Sequence, residues 1–194
     1  MILDYLTFEE RKLFLNRKLS KGEILFMEGD TCEYVGVVIS GQIDIISYLV
    51  NGEEVHYNSL FPGGVFGNNL IFASNNLYRG NVIAHIDSVV ALINKANLLQ
   101  LLSKNPVFLE NYLKIQSDFG KVLNAKIRLL SFSSAEERIL YFLHLNKGKV
   151  RIESISSLAN SLSLKRETVS RYISKLIKEK KIYRKGKDIY LLKD

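Results

Sequence analysis

The sequence predicts an α+β protein in three parts: an N-terminal antiparallel β jelly-roll barrel, one long helix, and a C-terminal winged helix-turn-helix. Three observations predict it. Short β-rich runs in the N-terminal half end at Gly29, Gly41, Gly52 and the Pro62-Gly63-Gly64 turn, the punctuation of an antiparallel barrel. Asn105-Pro106 then opens the longest helical pattern of the chain, which runs to about Ser131. Beyond it, two short apolar-periodic segments lie only a few residues apart and are followed by a hairpin pattern, which together read as a winged helix-turn-helix. The expected segments are 1–104, 105–131 and 132–194.

Charge divides the same way. The chain of 194 residues carries a net charge of +7. Residues 132–194 hold 15 Lys and Arg against 7 Asp and Glu, so residues 1–131 are left near neutral at −1. A small basic domain attached to a neutral one points to a polyanion for that domain alone. A hydrophobic share of 47% is enough for a sizeable core. No run approaches the ~18 apolar residues of a membrane span. Met1-Ile2-Leu3-Asp4 begins no signal peptide, so a cytoplasmic location and no membrane partner are expected. The lone Cys32 allows no internal disulfide and no cysteine cluster, and is expected to be a buried or idle thiol.

Taken in order, residues 4–15 read as a short helix with Leu6, Leu13 and Leu15 apolar. The β-rich runs follow, through Lys21-Gly22-Glu23-Ile24-Leu25-Phe26 and Tyr34-Val35-Gly36-Val37-Val38-Ile39. His56, His85 and His144 are scattered, with no His-x-His pair, so no metal site is expected. No nucleophile sits in a recognisable setting and no Gly-rich loop opens a helix, so no catalytic residue is assigned and no enzyme is expected. The long helix carries two adjacent apolar stripes. One is Phe108, Tyr112, Ile115, Phe119 and Val122; the other is Leu109, Leu113, Leu123, Ile127 and Leu130, with Gln116 and Gly120 interrupting. One stripe would cover the barrel and the other would meet a partner helix, with Tyr112, Ile115, Phe119 and Val122 assigned to the dimer seam.

Ser131-Phe132-Ser133-Ser134 reads as a hinge and domain boundary. Either Ser134-x-x-Glu137 or Ser133-x-x-Glu136 is a capping box for the next helix, which ends near Asn146 before Gly148. Residues 149–152 form a short strand. Ser154 caps a helix with Ile155, Leu158 and Leu162 on its apolar face. In the following stretch, Val169, Ile173, Leu176 and Ile177 make one apolar stripe, leaving Arg166, Glu167, Ser170 and Arg171 on the free face. Such side chains suit the DNA major groove: arginine donates twice to guanine, glutamate accepts from cytosine, and serine does either. Ser154, Thr168 and Lys175 are expected on phosphates. So are Lys185 and Lys187, at the tip of a hairpin wing formed by Ile182-Tyr183-Arg184 and Ile189-Tyr190-Leu191-Leu192.

Arg166-Glu167-Thr168-Val169-Ser170-Arg171, with Arg138 opening the domain, resembles the Crp/Fnr family of bacterial transcription regulators. The resemblance extends to the barrel, where Gly22, Glu28-Gly29-Asp30, Gly36, Gly41, Pro62-Gly63 and Phe66-Gly67 fall where the family pattern places them. It implies an effector-sensing barrel, a dimerisation helix and DNA reading by the 164–180 helix at a palindromic site with a TGA-like core. The implied partners are double-stranded DNA, a second copy of the chain, RNA polymerase and an unidentified small-molecule effector. Gly67-Asn68-Asn69-Leu70 through Arg79-Gly80 aligns with the phosphate-binding cassette of cyclic-nucleotide sensors. There, Asn68 replaces the family's ribose-binding glutamate and Gly80 replaces its serine, while Arg79 remains. Leu123-Asn124 stands where the family's cyclic AMP-binding members carry a Thr-Ser pair. Gly67, Asn68, Arg79, Gly80, Leu123 and Asn124 are the candidate effector pocket, and cyclic AMP is expected to bind weakly or not at all. A single cysteine excludes the family's four-cysteine iron–sulfur sensor, and the cofactor is left unknown. A different small molecule, a redox signal at Cys32 or no effector at all stay open. The family turn has glycine where Ser163 falls and a small capping residue where Lys165 falls. Serine tolerates positive φ poorly, so the reading helix is expected to be capped by Ser163 and to start early. The competing functions are a small-molecule-binding barrel whose basic winged helix docks a protein, and a cupin-like enzyme, which lacks its metal ligands.

Overall fold

A computed structural model describes residues 1–192; the last two residues of the expected 132–194 segment lie outside the described residues. The chain divides into two units, Met1–Asp118 and Phe119–Asp194. The division falls inside the long helix instead of at 104 and 131. The reason is packing: the helix gives Phe108 and Tyr112 to the first core and Leu129 to the second.

The N-terminal unit opens with a 3-10 turn, Ile2–Tyr5, and a single helical turn, α1, Phe8–Arg11. Thr7 caps α1, accepting from the Glu10 amide at 3.3 Å, while the Glu10 carboxylate accepts from the Thr7 amide at 2.8 Å. The continuous helix expected over residues 4–15 does not form. Leu15 instead begins β1, Leu15–Leu19, which pairs antiparallel with β8, Ser88–Asn94. That non-local ladder, Leu15 opposite Leu92, outweighs the local helical spacing.

The remaining strands are β2, Ile24–Phe26; β3, Tyr34–Ser40; β4, Ile43–Tyr48; β5, Glu54–Leu60; β6, Val65–Phe66; and β7, Asn81–Ala84. They form two four-stranded antiparallel sheets in the orders β1-β8-β3-β6 and β2-β7-β4-β5, the expected jelly-roll arrangement. Val35, Val37, Val90 and Leu92 from one sheet and Ile43, Val82 and Ala84 from the other share one core. Gly36 is needed there, because a Cβ at that position would collide with the Phe66 ring. A helix not foreseen in the sequence, α2, Lys95–Lys104, follows β8. Asn94 caps it through the Asn97 amide at 2.8 Å, and Leu98 and Leu101 are buried in the barrel core. Its signal was present as a cap followed by apolar residues three apart.

Helix α3, Pro106–Ser131, matches its expected span. The C-terminal unit continues with α4, Ala135–Leu145; β9, Lys149–Arg151; α5, Ile155–Leu162; α6, Arg166–Lys178; β10, Ile182–Lys185; and β11, Asp188–Leu191. Of the two capping boxes, the structure uses Ser134 with Glu137. The sheet order is β10-β11-β9, and Ile139, Leu143, Leu158, Leu162, Val169, Ile173, Leu176, Ile182 and Ile189 form a second core. Among the described residues, no helix is long and apolar enough to cross a membrane.

Candidate functional site

The reading helix α6 is held from beneath. Val169, Ile173 and Leu176 are buried against Leu158, Ala159 and Leu162 of α5, while Ile177 is 40% exposed and stands outside the expected stripe. Burying that one face leaves Arg166, Glu167, Ser170 and Arg171 exposed on the other. Among the described residues, Arg166 and Glu167 have no hydrogen-bond or ion-pair partner, so their polar groups are free for a ligand. Arg171 lies over the Tyr172 ring at 5.4 Å, which steadies its guanidinium without using its donors.

The turn between α5 and α6 corrects the sequence expectation. Ser163 does not cap α6. It takes a left-handed conformation, φ 52°, and closes α5 in a Schellman pattern. Its amide donates to the Asn160 carbonyl at 3.1 Å, and the Leu164 amide donates to the Ala159 carbonyl at 3.0 Å. Helix α6 therefore starts at Arg166, and the residue before it, Lys165, supplies no side-chain cap. Only three residues, 163–165, join the two helices, and the left-handed one among them is a serine.

The expected phosphate contacts separate into two groups. Lys185 and Lys187 are exposed on the wing, a two-residue hairpin turn with Gly186 at φ 61° and the Arg184 guanidinium closing on the Gly186 carbonyl at 3.0 Å. Ser154 spends its hydroxyl oxygen as the cap of α5, accepting from the Ser157 amide at 3.0 Å, and Thr168 is half-buried. Lys175 is exposed but paired, 2.7 Å from Glu136 of α4 and 3.6 Å from Glu179. Glu136 also receives Lys181 at 2.7 Å. The hydrogen bonds from both lysines hold the Glu136 carboxyl below its ordinary pKa, and Glu136 in turn raises that of Lys175. Lys175 is therefore not a free phosphate donor, and Glu136, 39 residues away in sequence, is a partner no local pattern encodes.

In the barrel, the cassette residues are brought together only in part. Asn68 is buried, and its side chain does not face outward. Its Nδ2 donates to Gln116 Oε1 at 2.7 Å, the Gln116 amide donates back to the Asn68 carbonyl at 2.6 Å, and the Tyr112 hydroxyl reaches the same carbonyl at 3.2 Å. Gln116, visible in the sequence only as a break in the apolar stripe, is thus the partner of Asn68. A Cβ at Gly80 would meet the Ile46 carbonyl oxygen, so no serine hydroxyl fits there without movement. Arg79 is exposed and, among the described residues, has no ion-pair partner. Leu123 and Asn124 lie on exposed turns of α3 that belong to the other unit. These residues do not fit a cyclic nucleotide: the amide at the ribose position is already satisfied, and the carboxylate and the hydroxyl are both missing. Cys32 is buried, its Sγ donating to the Tyr34 carbonyl at 3.4 Å, and burial pushes its thiol pKa up. Such a thiol resists oxidation, which disfavours the redox signal.

Two residues expected in the dimer seam are placed elsewhere. Tyr112 is buried and Ile115 packs beside it in the barrel core; burial pushes the Tyr112 hydroxyl up to about 12. Phe119 and Val122 are exposed, as are Leu123, Ile127 and Leu130. The first apolar stripe therefore changes role along its length. Its start covers the barrel, and its end joins the second stripe at the surface.

Comparison with known proteins agrees with this architecture. The Cyclic nucleotide-binding domain family matches residues 16–105. The Cyclic AMP receptor protein of Thermus thermophilus is 25% identical over 173 residues, covering 86% of this chain and 78% of that protein. The Transcriptional activator protein Anr of Pseudomonas protegens is 27% identical over 187 residues, covering 91% and 76%. The crystal structure of the Thermus thermophilus Catabolite Activator Protein superposes with a TM-score of 0.60 at 23% identity, covering 98% of this chain and 93% of that one, a likeness of fold.

Proposed function

We infer that this chain is a transcription regulator of the Crp/Fnr type that binds duplex DNA sequence-specifically, a reading supported by its similarity to regulators of that kind. The observation that carries the reading is the free face of α6. Arg166, Glu167, Ser170 and Arg171 stand exposed on a helix whose opposite face is fully buried, in the unit that holds the whole excess of positive charge. In this reading those four side chains meet base edges in the major groove, and Lys185 and Lys187 of the wing, with Thr168, hold phosphates. Two copies associate through the exposed apolar turns of α3, from Phe119 to Leu130, and so present two α6 helices to a palindromic site. The competing docking of a protein would need an apolar patch on the α6 face, where charged and hydroxyl groups stand instead. RNA polymerase is the further partner such a regulator needs, and its place of work is the cytoplasm.

Selection from random duplexes tests the reading. The expected site is palindromic with a TGA-like core, its half-sites about one helical turn, roughly 34 Å, apart. Arg171→Ala should relax preference at one base pair per half-site and cost about 1–3 kcal/mol of discrimination. An unchanged preference at every position in Arg171→Ala would remove α6 from the groove.

A further inference from the structure

The segment joining α3 to α4 is serine-rich and short, and in sequence it has the texture of a flexible link. The structure closes it with cations. Two helix ends, those of α3 and α5, leave carbonyl oxygens that no helical amide can reach. Arg138 of α4 spans both. Its Nε donates to the Phe132 carbonyl at 3.0 Å, Nη2 to the Leu130 carbonyl at 3.3 Å, and Nη1 to the carbonyl of Ser163 at 3.5 Å. Lys126, one turn before the end of α3, donates to the Ser161 carbonyl at 3.0 Å, on the last turn of α5. Both cations sit at the negative ends of helix dipoles, where positive charge is favoured. Tyr141 of α4 adds a third fastening, with Phe132 at 5.0 Å from its ring and Arg128 over it at 5.3 Å. Neither Lys126 nor Arg138 lies on the exposed face of α6.

We propose that Lys126 and Arg138 are positioning residues that bolt the end of α3 to the turn of the helix-turn-helix, so that α6 cannot swing relative to the helix that sets the dimer. The consequence is a fixed distance between the two α6 helices of a dimer, and therefore a sharp preference for one half-site spacing. Base preference within a half-site is set by α6 itself and stays outside this device. Lys126 has a second mark of a committed group: burial, with the nearby Arg138 charge, holds its ammonium pKa below the ordinary lysine range.

The inference rests on the DNA-binding reading, and two measurements keep them apart. In the first, the wild-type protein, Lys126→Met and Arg138→Lys are titrated against duplexes whose half-sites are set at the selected spacing and one or two base pairs closer or farther. Each lost charge-assisted bond should erode the wild-type spacing preference about tenfold, with base preference within each half-site unchanged. In the second, hydrogen exchange is followed without DNA. Lys126→Met should speed exchange of the Ser163 and Leu164 amides while the central amides of α4 keep wild-type protection. Lys126→Met removes one bond at the surface and keeps the stem, so it decides the matter even where Arg138→Lys fails to fold. Wild-type spacing preference in Lys126→Met, or wild-type exchange at 163 and 164, overturns the bolt. A wild-type protein that binds no duplex would instead overturn the function, and the exchange result would still decide the bolt.

Discussion

Ser163 shows how much a single backbone angle can cost. A left-handed conformation at φ 52° costs a residue with a Cβ about 1–2 kcal/mol, and among the described residues Ser163 shows no side-chain hydrogen bond to offset it. Ser163→Gly should therefore raise stability by about 0.5–1 kcal/mol after the extra chain entropy of glycine, read as a higher denaturant midpoint with unchanged slope. Its carbonyl still accepts from Arg138, so DNA affinity should hold. Asn68 makes the opposite point. By its resemblance to cyclic-nucleotide cassettes, the sequence presents Asn68 as a weakened binding residue. The structure spends it on Gln116 instead, in a two-way pair that ties the cassette to α3.

At the scale of elements, α3 does two jobs at different heights. Tyr112 is a core residue of the barrel, so Tyr112→Ala should destabilise the N-terminal unit by about 3–5 kcal/mol. Phe119→Glu places a charge on the exposed turns and should leave both units folded. Sedimentation at micromolar concentration should then show monomer in place of dimer; a dimer would move the seam away from this stretch. The sheet β2-β7-β4-β5 carries a second feature, a buried carboxylate on β4. Asp44 Oδ1 accepts from Gln42 at 2.8 Å and from Ser59 at 2.7 Å, and Oδ2 lies 2.8 Å from His85 Nδ1. Burial works against the charge. The Gln42 and Ser59 hydrogen bonds with the His85 and His56 charges outweigh it, so the folded pKa lies below the ordinary 3.8. A depressed carboxyl pKa gives stability that is complete above the unfolded value and lost as pH falls through the folded one. Acid unfolding should therefore steepen below about pH 4, and Asp44→Asn should flatten that limb while lowering stability at neutral pH. An acid limb of unchanged slope in Asp44→Asn would place the titration elsewhere.

At the scale of the whole molecule, electrostatics is arranged by unit. The C-terminal unit holds the positive excess, but not all of it is free. Glu136 and Glu179 neutralise Lys175 and Lys181 on one side, while Arg166, Arg171, Lys185 and Lys187 stay exposed. Attraction to DNA is thereby concentrated on α6 and the wing, and removing Lys175 should change the salt dependence of binding less than removing a wing lysine, each of which would release about one counterion. Comparing salt slopes of Lys175→Ala and Lys187→Ala measures the difference; equal slopes would show that Lys175 leaves Glu136 on binding.

Local signals carried a large part of this protein in the sequence. The caps at Ser134 and Ser154, the apolar spacing of Val169, Ile173 and Leu176, and the Gly186 hairpin each act within a few residues, so the winged helix-turn-helix and its free face were determined by the chain itself. The barrel was legible for a similar reason, since Gly29, Gly41, Gly52 and Gly63 mark turns between its strands. Tertiary structure alone decided the rest. Helical spacing defines a stripe but not its neighbour, so only packing could send Tyr112 inward and Phe119 outward on one stripe of α3. Leu15 joined a strand because Leu92, far along the chain, offered a ladder. Asn68 met Gln116, Lys175 met Glu136, and Arg138 met two helix ends across separations that no periodicity encodes. Polar side chains find their partners through space, and their roles become readable only once the backbone has brought those partners together.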